Sequence, residues 1–439
     1  MSIMEDKVII EQNPWWTSKE KILEDEKVSE ALSRKNKLLY SFEEKSNILF
    51  IGPRQVGKTT FFKLLIYDLL KKVDAKKILY FSCEPLRKFE DIIEIVRRAD
   101  FLLGEGEKFI FLDEISFVEG WERAVKYILD SPLSKNKIFY LTGSSSLALK
   151  KESFPGRNIK IKEFLPFTFH QFVKLFGSEE LKKSLSISNL NLKEIFENTK
   201  KLIVFKEELD KLFYKYLECG GFPRAFYELM EEGRIKEETY EIYWKSLMHE
   251  IAKIERSEKI ASGILIGIIK NYQTKFSLSS IAKEVEIGSH TTVREYLEIL
   301  EKLLAIRNVH TFDIEKNRVI YRKMRKVYFL DPFIFHASYK KLFGRKVEDN
   351  SRLVEGIVFE ALARRIKNEM GIGFYHNKKE IDVCFKDFGV EVKYQENVKE
   401  SDFPNVPIKN KILISKNQLD FIERKNLLII PASIFLAII

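Results

Sequence analysis

The stretch GPRQVGKTT, residues 52–60, decides the fold of the N-terminal part of this 439-residue chain. It matches the P-loop pattern G-x-x-x-x-G-K-[ST] and follows the apolar run NILFI. Its two glycines let the backbone curl so that successive N–H groups point at a phosphate, and a helix that begins there adds its N-terminal dipole. The sequence therefore predicts a nucleotide site whose contacts come from Gly52, Pro53, Arg54, Gln55, Val56, Gly57, Lys58, Thr59 and Thr60.

The chemistry expected of this site is Mg²⁺-dependent ATP hydrolysis. Lys58 is expected to reach the β- and γ-phosphates, and the Thr59 hydroxyl is expected to bind Mg²⁺. Further along the chain, the run FIFLDE ends in Asp113 and Glu114. Asp113 at the tip of a buried strand suits a role in holding Mg²⁺, and Glu114 suits polarising the attacking water. ATP and Mg²⁺ are therefore the predicted cofactors, with Lys58 and Glu114 in catalytic roles.

Two further groups are candidates for contacting the γ-phosphate. The run KIFYLTGSSS ends in hydroxyl residues, and Thr142 and Ser144 are the predicted sensors, although a helix N-cap explains one of the serines equally well. Arg157, in PGRN, is positioned either as an arginine finger reaching a neighbouring subunit or as an arginine that packs its own loop. The finger alternative predicts a homo-oligomer.

Hydrophobic patterning predicts an α/β fold with a parallel sheet. The runs NILFIG, KILYFS, KFIFLDE and KIFYLTG are continuous rather than alternating, as expected for strands that are covered on both faces. They alternate with amphipathic helical stretches, which is typical of a layered α/β domain. We predict a helical leader over residues 1–45, the P-loop core over 46–171 and a helical lid over 172–255.

Residues 13–255 resemble the archaeal and bacterial AAA-plus, STAND-related ATPases. The resemblance rests on NPWW in the leader, GPRQVGKTT, LDEI, LTGSSS, PGR and the GGFP of the helical lid. It implies that the lid segment lies near the base and ribose of the nucleotide, which adds Gly221 and Pro223, with Arg224 beside them, to the candidate contacts. Trp15 and Trp16 either pack by the adenine or anchor the core.

A helix-turn-helix pattern follows in SLSSIAKEVEIGSHTTVREYLEILEKLL, residues 277–304. It predicts a winged-helix domain over residues 256–340, in which Ser289 caps the second helix and the basic run 316–326 supplies the wing or the strand that follows it. The polar start of that helix favours DNA contact, whereas Glu295, Glu298 and Glu301 would repel phosphate. Contact with DNA and a structural or protein-binding role therefore both stay open.

The C-terminal segment 345–439 carries a second candidate site. In EIDVCFKDFGVEVKYQ, residues Glu391 and Lys393 are two apart and project to one face of a strand, beside Asp382. Glu355 lies on the helix that opens the segment. The arrangement resembles the PD-(D/E)xK nucleases, which implies a restriction-endonuclease-like α/β fold. It also implies a metal bound by Glu355, Asp382 and Glu391, with Asp382, Glu391 and Lys393 as catalytic residues. Domains of this kind are either active nucleases or bind their partner without cleaving it.

Composition limits where such a protein works and what it meets. The formal net charge of +10 favours a polyanionic partner such as DNA. Three scattered cysteines without metal spacing predict a reducing cytoplasm. The N-terminal residues lack the apolar run of a signal peptide. The apolar stretch 427–439 is too short to span a bilayer and is broken by Pro431. We therefore expect a cytoplasmic protein with no membrane partner.

Two functions fit these observations. The first is an ATP-hydrolysing AAA-plus-like protein that acts on DNA, with a Mg²⁺-dependent nuclease activity as an added expectation. The second is a STAND-like switch or scaffold, in which ATP orders an oligomer and the C-terminal domains bind protein instead of cutting DNA. Stimulation of ATP hydrolysis by DNA distinguishes the two, as does a steep salt dependence of DNA binding.

Overall fold

A computed structural model describes residues 6–41, 44–143, 154–321, 324–366 and 371–439 of the chain. The chain divides into two compact units, Met1–Leu165 and Pro166–Ile439. This is a coarser division than the five domains expected from the sequence, whose boundaries stay predictions. Ser144, the second predicted sensor, lies outside the described residues, as do Arg322 and Lys323 of the basic run.

The first unit is a parallel five-stranded sheet with helices between its strands. The strand order is β2-β3-β4-β1-β5, and every described pair is parallel. The predicted parallel α/β fold is confirmed. Its elements are α1 (Asp6–Glu11), α2 (Glu26–Ser33), β1 (Ile48–Ile51), α3 (Lys58–Leu69), β2 (Ile78–Ser82), α4 (Phe89–Leu102), β3 (Lys108–Asp113), α5 (Trp121–Asp130), β4 (Lys137–Gly143) and β5 (Lys160–Glu163).

Burial explains why the strands of this sheet read as continuous apolar runs. Every residue of β1 and of β3 is buried, because helices cover both faces of the sheet. The strand β5 is the exception, since all four of its residues are exposed at the edge of the sheet. The carboxyl ends of β1, β3 and β4, which are neighbours in the sheet, therefore meet at one place beside the P-loop.

The opposite edge of the sheet, strand β2, is closed by side chains of the leader. The Asn13 side-chain amide donates to the carbonyl oxygen of Tyr80 (2.8 Å) and accepts from its backbone N–H (2.7 Å). The indoles of Trp15 and Trp16 donate to the carbonyl oxygen of Ile78 at 3.3 and 2.7 Å. Both tryptophans are buried in the core cluster of this unit. The structure thus favours the core-anchor alternative for the NPWW segment, which satisfies an otherwise open strand edge.

The second unit contains the remaining helices and two sheets. Its helices are α6 (Phe169–Phe176), α7 (Glu179–Ser184), α8 (Leu192–Leu202), α9 (Lys206–Cys219), α10 (Pro223–Glu232), α11 (Glu237–Lys253), α12 (Glu258–Lys270), α13 (Leu278–Glu284), α14 (His290–Lys302), α15 (Pro332–Phe343), α16 (Val354–Arg365) and α17 (Ala432–Ile438). Its strands are β6 (Phe276–Ser277), β7 (Ile306–Val309), β8 (Thr311–Asp313), β9 (Arg318–Ile320), β10 (Met324–Phe329), β11 (Gly373–His376), β12 (Glu380–Phe385), β13 (Phe388–Val392), β14 (Asn410–Ser415), β15 (Asp420–Ile422) and β16 (Leu427–Pro431).

The two strands that overlap the basic run 316–326, β9 and β10, belong to different sheets. Strands β6, β10 and β7 form a three-stranded sheet, whereas the hairpin β8–β9 extends an eight-stranded sheet in the order β15-β16-β14-β13-β12-β11-β8-β9. In β8, Thr311 and Phe312 are buried, so this strand needs a partner, and β11 pairs with it in parallel. A Cβ at Gly373 would lie 2.3 Å from the carbonyl oxygen of His310, so the close approach requires glycine.

No helix within the described parts of the chain combines the length and the apolar character needed to cross a membrane.

Candidate nucleotide site and C-terminal carboxylate cluster

The P-loop joins β1 to α3, in the strand–loop–helix arrangement that the sequence predicts. Gly57 has φ +95°, a left-handed conformation that favours glycine, and directly precedes α3. A Cβ at Gly52 would lie 2.0 Å from the carbonyl oxygen of Phe164. Both glycines of the motif are therefore needed for the shape of the loop, and the helix N-terminus points into it.

The other loop residues differ in what they can present to a nucleotide. The Val56 side chain is buried, so its contact would come from its backbone, while Gln55 is exposed with φ +64°. The Arg54 guanidinium lies over the Phe117 ring, 4.8 Å from its centroid. Pro53 is buried, and Thr59 and Thr60 are half-buried in the first turn of α3, where a hydroxyl can reach a phosphate-bound cation.

Lys58 is buried inside the loop, with 3% of its surface exposed. Its Nζ donates to the carbonyl oxygens of Gly52 (3.1 Å) and Pro53 (3.0 Å) and lies 3.6 Å from Oε1 of Glu114. Burial lowers the pKa of the Lys58 ammonium, and the charges of Glu114 and Asp113 act against that shift. A desolvated ammonium held by loop carbonyls is a strong partner for a phosphate.

Asp113, at the end of β3, is fixed by hydrogen bonds to both of its carboxylate oxygens. The Thr142 hydroxyl donates to one oxygen and the Tyr80 hydroxyl donates to the other at 3.0 Å. Burial and Asp113 raise the pKa of the Tyr80 phenol well above its ordinary value, so it remains a donor. Tyr80 was not predicted from the sequence. The available signal was a phenol within an otherwise apolar buried strand, since a buried Tyr hydroxyl needs a partner.

Glu114 follows Asp113 with φ +51°, a left-handed conformation that turns its side chain toward Lys58. Its backbone N–H donates to the Thr142 hydroxyl oxygen at 2.7 Å. Its Oε2 is buried and has no hydrogen-bond partner among the described residues. A buried carboxylate oxygen without a donor is costly unless a water or ligand completes it, so Glu114 fits the predicted role of orienting a water.

Thr142 uses its hydroxyl to position the acidic pair. It donates to Asp113 and accepts from the N–H of Glu114, and its side chain is fully buried. The Thr142 hydroxyl therefore fixes the Asp113 carboxylate relative to the backbone of Glu114. Its sensing of a γ-phosphate remains a prediction, which the structure leaves untested.

Arg157 is engaged within its own unit. Its Nε lies 3.0 Å from both carboxylate oxygens of Asp130, and its Nη2 lies 2.6 Å from Oδ2. Asp130 ends α5, so the pair joins that helix to the loop before β5. This contact agrees with the alternative in which Arg157 packs its own loop. A finger role would require Arg157 to exchange Asp130 for a phosphate on another chain, and it stays a prediction.

The GGFP segment of the second unit has local structural reasons for its glycines. Gly220 has φ +59°, and a Cβ there would lie 1.9 Å from Oδ1 of Asp331, while one at Gly221 would lie 2.0 Å from the carbonyl oxygen of Phe167. The Asp331 carboxylate accepts from the N–H of Gly221 at 2.8 Å. Pro223 begins α10, where its missing N–H costs nothing. Nucleotide contact by Gly221 and Pro223 stays a prediction.

The predicted carboxylate cluster forms, but its centre holds a lysine that the sequence analysis placed elsewhere. The Lys326 Nζ lies 2.8 Å from Glu355, 2.8 Å from Glu380 and 2.9 Å from Asp382. Only 1% of Lys326 is exposed. Lys326 therefore cannot take part in the DNA contact that was left open for the basic run 316–326. Burial alone would lower the pKa of its ammonium, but Asp382, Glu355 and Glu380 raise it above its ordinary value.

Glu391 and Lys393 pair as their spacing predicts, with Nζ of Lys393 2.8 Å from Oε1 of Glu391. Burial and the charge of Asp382 raise the pKa of Glu391 to about 8. The other oxygen of Asp382 accepts from the N–H of Val392 at 3.0 Å. Within the described residues no three His, Cys, Asp or Glu side chains are arranged to hold a metal ion. The expected metal site of Glu355, Asp382 and Glu391 is thus corrected, because the Lys326 ammonium lies among these carboxylates.

The predicted helix-turn-helix residues lie on α13 and α14. Ser289 caps α14 by accepting from the N–H of Thr291, as predicted. His290, Thr291 and Arg294 are exposed at the start of α14, and Glu295 and Glu298 are exposed further along it. Among the described Lys and Arg residues of the basic run, only Lys316 and Arg318 are exposed, since Arg325 is buried like Lys326.

Comparison with known proteins identifies the class of the first unit. Residues 44–173 match the family model described as an AAA domain. This part of the chain is therefore an AAA-type P-loop ATPase domain, and an AAA domain implies nucleotide binding, typically with Mg²⁺. Residues 210–344 match a domain of unknown function, DUF8612.

Full-length relatives extend the similarity without adding a function. An uncharacterized protein of Methanocaldococcus jannaschii is 27% identical over 367 residues, covering 79% of this chain and 74% of the relative. A second from the same organism is 26% identical and covers 70% of this chain and 65% of its own length. An uncharacterized protein of Haemophilus influenzae is 26% identical, covering 76% and 79% respectively.

Two solved structures are also similar in part. A point variant of RuvB from Thermotoga maritima shares 18% identity with a TM-score of 0.28, covering 70% of this chain and 90% of its own. Cdc6p from Pyrobaculum aerophilum shares 13% identity with a TM-score of 0.22, covering 78% and 97%. TM-scores this low support no argument about the arrangement of the whole chain.

Proposed function

We propose that this protein hydrolyses ATP in its first unit and uses the nucleotide cycle to act on DNA through its second. The observation that carries the hydrolysis is the convergence of Lys58, Asp113 and Glu114 beside the P-loop. The Lys58 ammonium lies 3.6 Å from the Glu114 carboxylate, and Asp113 is held at both oxygens. These groups supply a phosphate ligand, a cation ligand and a general base within one small volume.

Each residue has a separate task in that reaction. Lys58 would bind the β- and γ-phosphates, and Thr59 with Asp113 would hold Mg²⁺, which would neutralise phosphate charge. Lys58 is paired with Glu114, so binding of a phosphate by Lys58 weakens its hold on that carboxylate. Glu114 then accepts a hydrogen bond from the attacking water and polarises it. Nucleotide entry and activation of the base are thus coupled through a single ion pair.

The DNA part of the proposal rests on α13, α14 and the small sheet. Two helices joined by a short turn, with a three-stranded antiparallel sheet whose strand β6 precedes them and whose strands β7 and β10 follow them, are the elements of a winged helix. The start of α14 exposes hydrogen-bonding side chains and Arg294, and Lys316 and Arg318 are exposed on the β8–β9 hairpin. With the net charge of +10, these exposed cations favour a polyanionic partner.

The alternative is an ATP-dependent switch or scaffold whose second unit binds protein. It is favoured by the exposed acidic residues of α14, Glu295 and Glu298, and by the burial of Arg325 and Lys326, which leaves fewer cations for phosphate. Phosphodiester cleavage is not part of either proposal, because an ammonium lies where the nuclease resemblance requires a metal.

The test is ATP turnover by the full chain with and without duplex DNA, at low and at moderate salt. We expect DNA to stimulate turnover, and salt to remove the stimulation steeply. A variant with Arg294, Lys316 and Arg318 changed to Gln should keep its basal turnover and lose the stimulation. A control of equal charge change uses three exposed helix lysines: Lys193, Lys211 and Lys245.

The outcome separates the two functions. Stimulation that persists in the first variant and disappears in the control would move the DNA surface elsewhere. Turnover that DNA leaves unchanged at every salt concentration would reject action on DNA and favour the switch or scaffold. Loss of basal turnover in Lys58→Ala, measured in parallel, ties the activity to this P-loop rather than to a contaminant.

A further inference from the structure

The helix that begins at the P-loop carries a second buried lysine, Lys63, to which the proposed reaction gives no task. Lys63 belongs to α3, as do Lys58 and Thr59, and only 8% of its surface is exposed. An ammonium that is buried to this extent loses most of its hydration, so the groups around it must compensate its charge. The described contacts of the Lys63 ammonium are one carboxylate and two aromatic rings.

The carboxylate belongs to Asp25 of the leader. Its Oδ2 lies 3.2 Å from Nζ of Lys63. Its Oδ1 accepts from the N–H groups of Lys27 (3.1 Å) and Val28 (3.3 Å) at the start of α2. Asp25 is therefore held in place by the helix that it caps, and it fixes the position of the ammonium in turn.

The two rings belong to Tyr80 and Trp15. Nζ of Lys63 lies 3.8 Å from the centroid of the Tyr80 ring and 5.4 Å from that of Trp15. A cation on the face of a ring is attracted to its π-electrons, most strongly where water is excluded. It draws electron density away from the ring and from the phenol oxygen, so the phenol O–H becomes a stronger hydrogen-bond donor.

The acceptor for this phenol is the carboxylate of the nucleotide site. The Tyr80 hydroxyl donates to Oδ2 of Asp113 at 3.0 Å. Side chains that hold a metal-binding carboxylate in one orientation raise the affinity of the site for the metal. The Lys63 ammonium therefore lies one side chain away from Asp113 and is positioned to strengthen the bond that orients it.

We propose that Lys63 is a positioning residue of the nucleotide site, and that its ammonium strengthens the hydrogen bond by which Tyr80 orients Asp113. In this way Lys63 sets how tightly the site binds Mg²⁺ together with ATP. Through Asp25, the leader takes part in the same control. This inference rests on the proposed function, in which Asp113 would hold Mg²⁺.

The test is the Mg²⁺ dependence of nucleotide binding by the full chain. The probe is ATPγS, a slowly hydrolysed ATP analogue, titrated by calorimetry at a series of Mg²⁺ concentrations, with ATP turnover measured at the same concentrations. Lys63→Met keeps the length of the side chain and removes its charge. We expect the Mg²⁺ concentration for half-maximal binding to rise by roughly threefold to tenfold. Lys63→Arg keeps a cation that can stack on the ring, and it should restore most of the wild-type value.

A double-variant cycle shows whether Lys63 acts through the Tyr80 hydroxyl. Tyr80→Phe keeps the ring and removes the donor to Asp113, so it should raise the Mg²⁺ requirement by roughly tenfold. In the Tyr80→Phe background, Lys63→Met should have little further effect, because the bond that it weakens is already absent. Effects that add in full would overturn the proposal, since Lys63 would then only support the packing of the leader.

A matched control is Lys71→Met. Nζ of Lys71 lies 4.1 Å from the centroid of the Tyr67 ring and 3.6 Å from Oδ1 of Asp68, so it repeats the combination of one ring and one carboxylate. Its ring is not the one that donates to Asp113. Lys71→Met should leave the Mg²⁺ requirement unchanged. A rise as large as in Lys63→Met would overturn the proposal, because any loss of positive charge would then suffice.

The remaining outcomes are also decisive. A folded Lys63→Met protein with the wild-type Mg²⁺ requirement contradicts the role of Lys63. If that variant does not fold, Lys63→Gln takes its place with the same expected result, since the amide can still donate to Asp25 but carries no charge. A wild type that binds ATPγS and does not hydrolyse ATP would reject the proposed hydrolysis, while the Mg²⁺ dependence of ATPγS binding would still decide the role of Lys63.

Discussion

Replacing Asn13 with Ala should destabilise the first unit and slow ATP turnover, although Asn13 contacts no residue of the P-loop. Asn13 is fully buried. Its side-chain amide donates to the carbonyl oxygens of Tyr80 and Ile9 and accepts from the N–H of Tyr80. Tyr80 in turn donates its hydroxyl to Asp113. The leader therefore fixes strand β2, and Tyr80 of that strand holds the Asp113 carboxylate.

The magnitude follows from the groups left without partners. Asn13→Ala leaves the backbone N–H and carbonyl of Tyr80 without their side-chain partner. Trp15 and Trp16 cover this edge strand, so water does not easily replace the lost hydrogen bonds. At about 1–3 kcal/mol for each of the two buried unsatisfied groups, the expected loss in the free energy of unfolding is about 2–6 kcal/mol. Turnover should fall by roughly tenfold or more, because small displacements of catalytic groups are costly.

The assay is urea unfolding of the full chain, followed by tryptophan fluorescence, together with steady-state ATP turnover at saturating ATP. A matched control is Gln12→Ala, which removes a single hydrogen bond, from the N–H of Ser82 at 2.8 Å, on the same strand. Its loss should be about 1 kcal/mol. The reasoning fails if Asn13→Ala unfolds no earlier than Gln12→Ala, or if it unfolds earlier while turnover is unchanged.

Three further predictions concern single side chains. Thr142→Val should slow turnover by roughly tenfold or more while ATP still binds, because Asp113 and the N–H of Glu114 lose their common partner; normal turnover would contradict that role. Mixing Arg157→Ala with Lys58→Ala should restore some activity if Arg157 acts on a neighbouring chain, and no restoration leaves it paired with Asp130. The pKa of Glu391 is raised to about 8, so its contribution to stability is present below about 4.5 and is lost as the pH rises through 8. Glu391→Gln should therefore gain thermal stability relative to wild type between pH 5 and pH 8.5, by about 1 kcal/mol or more, and melting curves with an equal offset at both values would exclude this.

Local patterns were sufficient to predict the nucleotide site. The P-loop needs only the order strand, glycine-rich loop and helix, and the acidic pair needs only to end a parallel strand of the same sheet. Continuous apolar runs predicted the parallel sheet because strands buried on both faces carry no alternation. The N-cap at Ser289 was predicted for the same reason, because Ser289 accepts from the N–H of Thr291, only two residues away.

The contacts that were missed depend on pairing between distant segments. Tyr80 meets Asp113 because β2 and β3 are neighbours, and nothing in the residues around Tyr80 indicates its partner. Lys326 stands in a run of basic residues, which favoured a surface, and its burial follows only from the position of β10 against α16 and β12. Charge patterning along the sequence cannot distinguish a lysine that is exposed from one enclosed by carboxylates.

The most direct test of the proposed ATPase is the turnover of Glu114→Gln measured beside its affinity for ATP. The amide keeps the size of the side chain, but it cannot accept a proton from the attacking water. We expect ATP binding at near wild-type affinity and hydrolysis slower by about 10²-fold or more. Wild-type turnover in Glu114→Gln would contradict the assignment of Glu114 as the base and, with it, the account of this site.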